Sequence, residues 1–262
     1  MNVPSFTKGG LSTSRRKADR MNVVRFIPSS MPAIMEFQQF ESPLFRFLKQ
    51  LARNNNRAWF QENKSRYEKE VLEPSLAFIR AFRPRLKKIS EHFTAVDRRS
   101  GGSLMRVYRD TRFHGADEPY KTNVGIQFRH EFGRDVHAPG FYVHLEPGAC
   151  FLAAGLWRPE SAVLRQVREA IVENPARWKR VRNDKNFQMF FSLDGDSLKK
   201  CPLGFPIDHP CIEDLRRTDF IAVADVDDSR ALHKTFMDHV RQAFTAARPL
   251  MRFLCDAVKV PF

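Results

Sequence analysis

The chain has 262 residues, 42% of them hydrophobic, and 44 Lys and Arg against 30 Asp and Glu, which gives a formal net charge of +14. This length and apolar content suffice to bury a core, and the charge favours anionic partners over neutral ones. No apolar run approaches the roughly 20 residues that a membrane-spanning helix needs, so we expect a protein without a membrane-spanning segment.

The four cysteines are widely spaced and form neither a Cys-x-x-Cys pair nor a cluster with His at zinc-ligand spacing. They are Cys150, Cys201, Cys211 and Cys255. This usage predicts free thiols in a reducing compartment, and therefore a cytoplasmic protein with no metal site. The glycine-rich motifs of dinucleotide and P-loop sites are absent from the sequence, as are the common hydrolase motifs, so we predict no cofactor.

Residues 1–35 are predicted to be a basic, disordered N-terminal arm outside the folded domain. Before Met35 the sequence has six Lys or Arg against one Asp, and Ser, Thr, Gly and Pro are frequent. A transit peptide has this composition, and so does a start site assigned too early, with Met21, Met31 or Met35 as the true start. We favour the second explanation.

Helical spacing begins near Glu41, where Ser42 and Pro43 are a suitable N-cap and first-turn pair. The asparagines at 54–56 are predicted to end this helix and to cap a second one, rather than to form a functional loop. A break near Pro74 precedes a third helix.

The centre of the chain changes to the alternation that is typical of strands. Residues 124–129 and 141–146 predict two half-buried strands, and Pro147 and Gly148 form a turn before an antiparallel partner that runs from Cys150 to Trp157. Two further helices are expected, one after Pro159 and one opened by Asn174 and Pro175.

Later strands are predicted at 187–193 and 220–226, followed by a long closing helix from Asp228 or Ser229. Residues 36–262 are therefore predicted to be a single α+β domain with a mainly antiparallel central sheet, N-terminal helices and a long C-terminal helix.

The stretch from Leu104 to Thr122 gathers cations around apolar residues. We predict an anion-binding site here, because guanidinium groups donate paired hydrogen bonds to phosphate and carboxylate oxygens. The candidate ligand-binding residues are Arg106, Arg109, Asp110, Arg112, Tyr120, Lys121, Thr122 and Tyr142. The alternative is an internal network in which Asp110 and Asp117 hold Arg109 and Arg112, with Tyr120 as a packing residue.

His144 is the candidate catalytic residue. It alternates with apolar residues on a predicted strand and shares a face with Tyr142 and Glu146, so a carboxylate could hold its imidazole as a general base. The alternative is a histidine that makes a surface hydrogen bond only.

The order NNNRAWFQENKSRYEKEVLEP, MRVYRDTRF, PYKTNVG, FYVHLEPG, GLWRP and PLGFPIDHP resembles the domain of unknown function family 2461, from about Glu36 to the C-terminus. The resemblance implies a compact α+β domain and no particular activity. The positions that match the family's most recognisable ones are Arg109, Asp110, Arg112, Phe113, Tyr120, Lys121, Thr122, Tyr142 and His144. Two segments depart from the family pattern: 114–118, which lacks its Lys and Ser, and 153–154, where Ala replaces Gly.

Two functions follow from the sequence, and neither establishes whether the chain is an enzyme. The first is binding of an anionic small molecule, with His144 as an acid-base catalyst. The second is non-specific binding of nucleic acid by a basic face. We favour the first, because the informative cations are interleaved with apolar strand residues rather than spread along an exposed face. A scaffold that binds a partner protein is the remaining alternative, and no oligomeric state is predicted.

Overall fold

A six-stranded antiparallel sheet, with helices packed against its apolar face, is the centre of the fold. The computed structural model describes residues 37–109, 118–133 and 138–262. The strand order is β1-β2-β3-β4-β6-β5. The strands are β1 (Phe93–Thr94), β2 (Val124–His130), β3 (Gly140–Leu145), β4 (Cys150–Leu156), β5 (Ser192–Asp194) and β6 (Phe220–Val226). The predicted α+β class with a mainly antiparallel sheet is confirmed.

Helices precede the sheet in the chain and return between and after its last strands. Those before it are α1 (Ser42–Arg53), α2 (Arg57–Glu62), α3 (Lys64–Tyr67), a π-helical turn (Glu68–Leu72) and α4 (Glu73–Ile89). The later ones are α5 (Ser161–Glu173), α6 (Pro175–Arg182), α7 (Lys185–Gln188), α8 (Ile212–Leu215), α9 (Asp228–Ala231), α10 (Phe236–Ala246) and α11 (Arg248–Ala257).

The start of α1 differs from the expectation by one residue. Glu41, not Ser42, is the N-cap, and no side chain caps this helix, while Pro43 lies in its first turn as predicted. The following turn is capped as expected: the Asn56 side chain accepts a hydrogen bond of 3.0 Å from the Trp59 amide at the start of α2. The asparagine run is therefore a capped helix-helix turn.

The break expected near Pro74 is the π-helical turn directly before α4, where Pro74 lies in the first helical turn. A proline cannot donate to the carbonyl four residues back, so irregular hydrogen bonding is expected next to it. The chain consequently remains helical through this region instead of separating into two distant helices.

Aromatic side chains join the helices to the sheet. Phe82 of α4 stacks on Phe128 of β2 at 5.2 Å between ring centroids, and Phe244 of α10 lies 4.7 Å from Phe141 of β3. All four rings are fully buried. Along β3 the residues that alternate with Phe141 are half-buried, so the opposite face of the sheet presents polar side chains.

The predicted strand at 187–193 is wrong in its first half. Residues 185–188 form α7, because the Asp184 side chain caps it by accepting from the Phe187 amide at 2.9 Å. Phe187 then packs on Phe191 at helical spacing, and only Ser192–Asp194 pairs with β6 as the edge strand.

The C-terminal helical region is divided into α9, α10 and α11. The division before α10 lies at His233, whose ring accepts a hydrogen bond from the Thr235 amide at 3.2 Å. The division before α11 precedes Pro249, which lies in that helix's first turn and cannot continue α10.

The described residues belong to one compact unit. The predicted arm, residues 1–35, lies outside the described residues, as do Asp110, Arg112 and Asp117. None of the helices within the described ranges is both long enough and apolar enough to cross a membrane.

Candidate anion and proton-transfer site

A ribbon of two antiparallel segments extends from β2 and carries four of the candidate residues, Arg106, Arg109, Tyr120 and Lys121. The Lys121 amide donates to the Val107 carbonyl at 2.7 Å, and the Arg109 amide donates to the Pro119 carbonyl at 2.9 Å. These contacts bring residues 106–109 beside residues 118–121. Residues that are nine or more positions apart in sequence therefore become neighbours.

Tyr120 anchors this ribbon to the helices. Its side chain is buried, and its ring stacks on Phe60 of α2 with 4.0 Å between centroids. Burial raises the pKa of the Tyr120 hydroxyl, and the neighbouring Tyr108 adds to that effect. Tyr120 thus packs against the helices, and its place in ligand binding stays a prediction.

Three cations, Arg106, Arg109 and Lys121, form what we call the basic group. Burial lowers the pKa of the Lys121 ammonium, and repulsion from Arg106 and then from Arg109 lowers it further. Arg109 is paired with Glu118 at 2.9 Å. Within the described part of the chain, Arg106 and Lys121 have no carboxylate at ion-pair distance. The positive charge of the group is therefore only partly balanced by the residues that the structure describes.

A second group follows the outward face of β3 and continues just beyond its end. The Tyr142 hydroxyl lies 3.1 Å from Nδ1 of His144, and Nε2 of His144 lies 3.0 Å from Oε2 of Glu146. The Thr122 hydroxyl donates to Oε1 of Glu146 at 2.9 Å. We call Tyr142, His144 and Glu146 the β3 triad. Its members are two residues apart, so the strand places all three on one face.

The imidazole of His144 is held between neighbours. Its side chain is 13% exposed, and Phe151 of β4 stacks on its ring at 4.5 Å with 12° between the planes. The Asn123 amide nitrogen lies 3.4 Å from Nδ1. Burial, and then the charge of Glu146, raises the pKa of Tyr142 to about 12. The triad is thus a hydrogen-bonded chain that is shielded from water at Tyr142 and His144 and part-exposed at Glu146.

The short segment Lys121-Thr122-Asn123 joins the basic group to the β3 triad. Lys121 belongs to the basic group, and Thr122 and Asn123 contact the triad. A pocket lies beside this segment, between α1, the π-helical turn and the ribbon. Its lining residues are Leu48, Leu51, Tyr67, Val71, Leu104, Met105, Val107, Asn123 and Val124. No cation lines this pocket, so the apolar cavity and the basic group are adjacent and separate features.

Sequence reasoning named most of these residues, but it missed three partners. Asn123 and Phe151 contact His144, and Glu118 pairs with Arg109. β2 pairs with β3 from Val124 opposite Leu145, and Asn123 directly precedes Val124, so strand pairing was the signal that would have indicated Asn123. To predict the contact of Phe151 with His144, the register of β3 against β4 would also have had to be known.

Among the described residues, no group of three or more His, Cys, Asp or Glu is arranged to hold a metal ion. The four cysteines are free thiols, and burial raises the pKa of Cys150 and of Cys255 to about 12. Neither of these two thiols is an activated nucleophile.

Comparison with curated proteins gives no match, and comparison with solved structures gives none either. A family model described as conserved hypothetical protein (DUF2461) matches residues 43–253. This range includes both the basic group and the β3 triad, and the match confirms the resemblance that the motifs indicated. The chain therefore belongs to the DUF2461 family of conserved hypothetical proteins.

Proposed function

We propose that this protein binds a small anionic ligand, bearing phosphate or carboxylate groups, through Arg106, Arg109 and Lys121. The observation that supports the proposal is the balance of charge: two of these three cations have no carboxylate at ion-pair distance within the described ranges. Lys121 is half-buried, and the guanidinium groups of Arg106 and Arg109 repel its ammonium group. An anion between them would remove this repulsion.

Two part-buried arginines elsewhere in the fold are paired with carboxylates, whereas the buried Arg168 donates to the Arg217 carbonyl instead. Arg182 lies 2.6 Å from the buried carboxylate of Asp214, and Arg80 lies 2.7 Å from Asp97. Such pairing is expected where a cation has only a structural role, because an unpaired buried charge is costly. Within the described residues, Arg106 and Lys121 have no such carboxylate, and this difference from Arg182 and Arg80 supports a role in binding.

The chemistry of the group suits oxyanions. A guanidinium group presents a planar pair of donors that matches the oxygens of a phosphate or carboxylate, and a lysine adds a compact charge. A ligand that binds the native state and not the unfolded chain raises the temperature of unfolding. Thermal stability is therefore a direct measure of binding that needs no knowledge of the natural ligand.

Thermal unfolding in phosphate, pyrophosphate and citrate, at constant ionic strength, tests the proposal. We expect at least one of these anions to raise the melting temperature. Arg106→Gln should weaken binding by roughly tenfold or more, because a hydrogen bond to a charged group contributes about 1.5–3 kcal/mol. Arg109→Ala should also remove the rise. Arg165→Gln is the matched control: it removes an equal charge from an exposed pair with Glu169 and should leave the rise unchanged.

Nucleic-acid binding is a separate outcome of the same experiments. A single-stranded oligonucleotide that binds with a steep dependence on salt, in the absence of any response to the small anions, would support the alternative function. No response to any of the anions, or an equal response in Arg106→Gln and the native protein, would contradict the proposed anion site.

A further inference from the structure

We propose that Tyr142 is an activated nucleophilic hydroxyl, with His144 as its general base and Glu146 as the residue that positions the base. This inference goes beyond anion binding, because it assigns covalent or proton-transfer chemistry to the β3 triad. It stands on the hydrogen bonds of the triad and does not require the basic group to hold a ligand.

The donors and acceptors of the triad define one direction for its hydrogen bonds. The Glu146 carboxylate accepts from Thr122 at one oxygen, and its other oxygen faces Nε2 of His144. A carboxylate only accepts, so Nε2 carries the proton. In the neutral imidazole, the lone pair of Nδ1 accepts from the Tyr142 hydroxyl 3.1 Å away, and the Asn123 amide nitrogen, at 3.4 Å, is a second and more distant donor to the same atom.

This order of hydroxyl, imidazole and carboxylate is the arrangement that activates a hydroxyl in nucleophilic catalysis. Burial holds the pKa of Tyr142 at about 12, so the phenol keeps its proton at rest and needs a base in order to react. In the reaction with an activated acyl or phosphoryl group, the O–H bond breaks, the proton passes to Nδ1, the phenolate oxygen bonds to the acyl carbon or the phosphorus, and the bond from that atom to its leaving group breaks. Glu146 stabilises the imidazolium, and the leaving group departs with the electron pair of the bond that breaks.

The fold provides space for this hydroxyl at a glycine. Gly125 of β2 lies across from His144 in the sheet, and a Cβ atom there would be 2.7 Å from the Tyr142 hydroxyl and 3.0 Å from the Met105 sulfur. Met105 also lines the pocket beside the ribbon, together with Asn123. The hydroxyl therefore lies against Gly125 and Met105, and the Met105 side chain separates it from this pocket, which has room for about one water molecule.

Labelling with an aryl sulfonyl fluoride, followed by peptide mass spectrometry, tests the proposal in the full chain. In this reaction the phenol oxygen forms an S–O bond, the S–F bond breaks, fluoride leaves and the proton is taken by His144. The chain has four tyrosines, which serve as internal controls. We expect Tyr142 to be labelled faster than Tyr108, although the Tyr108 residue is 49% exposed.

Variants distinguish activation of the Tyr142 hydroxyl from its simple accessibility to the reagent. Tyr142→Phe should lose the label at this position, and His144→Gln should slow labelling of Tyr142 by about a hundredfold, the contribution of a well-placed general base. Glu146→Gln should slow it less, and Glu146→Asp should restore part of the rate. Gly125→Ala keeps all three triad residues, displaces the hydroxyl and should also slow labelling. His233→Gln is the control, because His233 hydrogen-bonds only within its own turn.

The rate at Tyr108 reports on folding in every variant and should not change. Labelling of Tyr142 that is absent, or no faster than that of Tyr108, would overturn the proposal. So would an unchanged rate in His144→Gln, because the triad would then be a structural hydrogen-bond chain. None of these outcomes depends on whether phosphate or citrate binds.

Discussion

Both backbone hydrogen-bonding groups of Tyr120 are held by the single side chain of Asn55. The Asn55 amide nitrogen donates to the Tyr120 carbonyl at 2.9 Å, and its oxygen accepts from the Tyr120 amide at 3.0 Å. The Asn55 side chain thus makes the two hydrogen bonds with the Tyr120 backbone that a residue of a paired strand would make. It connects the turn between α1 and α2 to the ribbon that carries the basic group, 65 residues further along the chain.

Asn55→Ala should therefore destabilise the protein. The loss of two hydrogen bonds, each with a net contribution of about 0.5–1.5 kcal/mol, gives an expected decrease of roughly 1–3 kcal/mol in the free energy of unfolding. Urea denaturation measures this decrease. Asn54→Ala is the matched control, since the Asn54 side chain is exposed and bonds only to the Gln50 carbonyl in its own helix. Equal costs for the two substitutions would contradict the anchoring role of Asn55.

The lowered pKa of Lys121 predicts how anion binding changes with pH, if the basic group is the binding site. Lys121 loses its proton at a lower pH than a free lysine, whose pKa is 10.5, so affinity should begin to fall early on the alkaline side. Sulfate is the suitable probe, because its own charge does not change in this range. Calorimetric titration should show that Lys121→Arg, which stays protonated, removes the decline. Parallel profiles for the two proteins would exclude Lys121 from the site.

The interactions of the Asp97 carboxylate with Arg80 and Arg83 should stabilise the protein at neutral pH and lose this effect in acid. Burial alone would raise the pKa of its carboxyl, but hydrogen bonds from Arg80, from its own backbone amide and from Arg83 outweigh burial and lower the pKa below 3.8. The native carboxyl therefore binds its proton less readily than the unfolded one does. Its contribution is complete well above pH 3.8 and is lost as the pH falls through the native pKa.

The comparison of Asp97→Asn with Asp238→Asn tests this linkage. Asp97→Asn should cost about 1 kcal/mol at neutral pH, a value that allows for solvent screening of the two part-exposed arginines. The cost should shrink towards zero in acid, as measured by urea denaturation over a range of pH. Asp238 forms only exposed pairs of 3.8 Å with Arg85 and Arg241, so its replacement should have little effect. A cost for Asp97→Asn that does not vary with pH would refute the argument.

Gly155 is expected to tolerate no side chain. It has a φ of +132°, and a Cβ atom there would lie 2.0 Å from the Phe220 carbonyl oxygen of the neighbouring strand. Gly155→Ala should therefore cost at least about 3 kcal/mol or prevent folding. Gly148→Ala is the comparison, because Gly148 also has a positive φ, of +86°, but faces open space. We expect Gly148→Ala to lower the free energy of unfolding by only about 1 kcal/mol, as measured by urea denaturation. A similar decrease for the two substitutions would contradict the predicted clash at Gly155.

The polar face of β3 was predictable because it depends on local periodicity. Alternation along the strand places Tyr142, His144 and Glu146 on one side, whatever lies around them. The arrangement of the basic group was not predictable in the same way. An ideal strand would direct Arg106 and Arg109 to opposite faces, yet both act electrostatically on Lys121. The segment around them is an irregular ribbon with isolated bridges rather than a continuous strand.

The amino-acid sequence by itself determined the α+β class, the antiparallel pairing around the turn at Gly148 and the residue types at the candidate site. These features follow from spacing and turn chemistry within a few neighbouring residues. Only the tertiary structure decided that Phe151 would stack on His144, that Glu118 would pair with Arg109 and that Asn55 would hold Tyr120. Such contacts depend on strand register and on how distant segments pack. Many partners of the same residue type are compatible with one local pattern, and the packing of the whole chain selects among them.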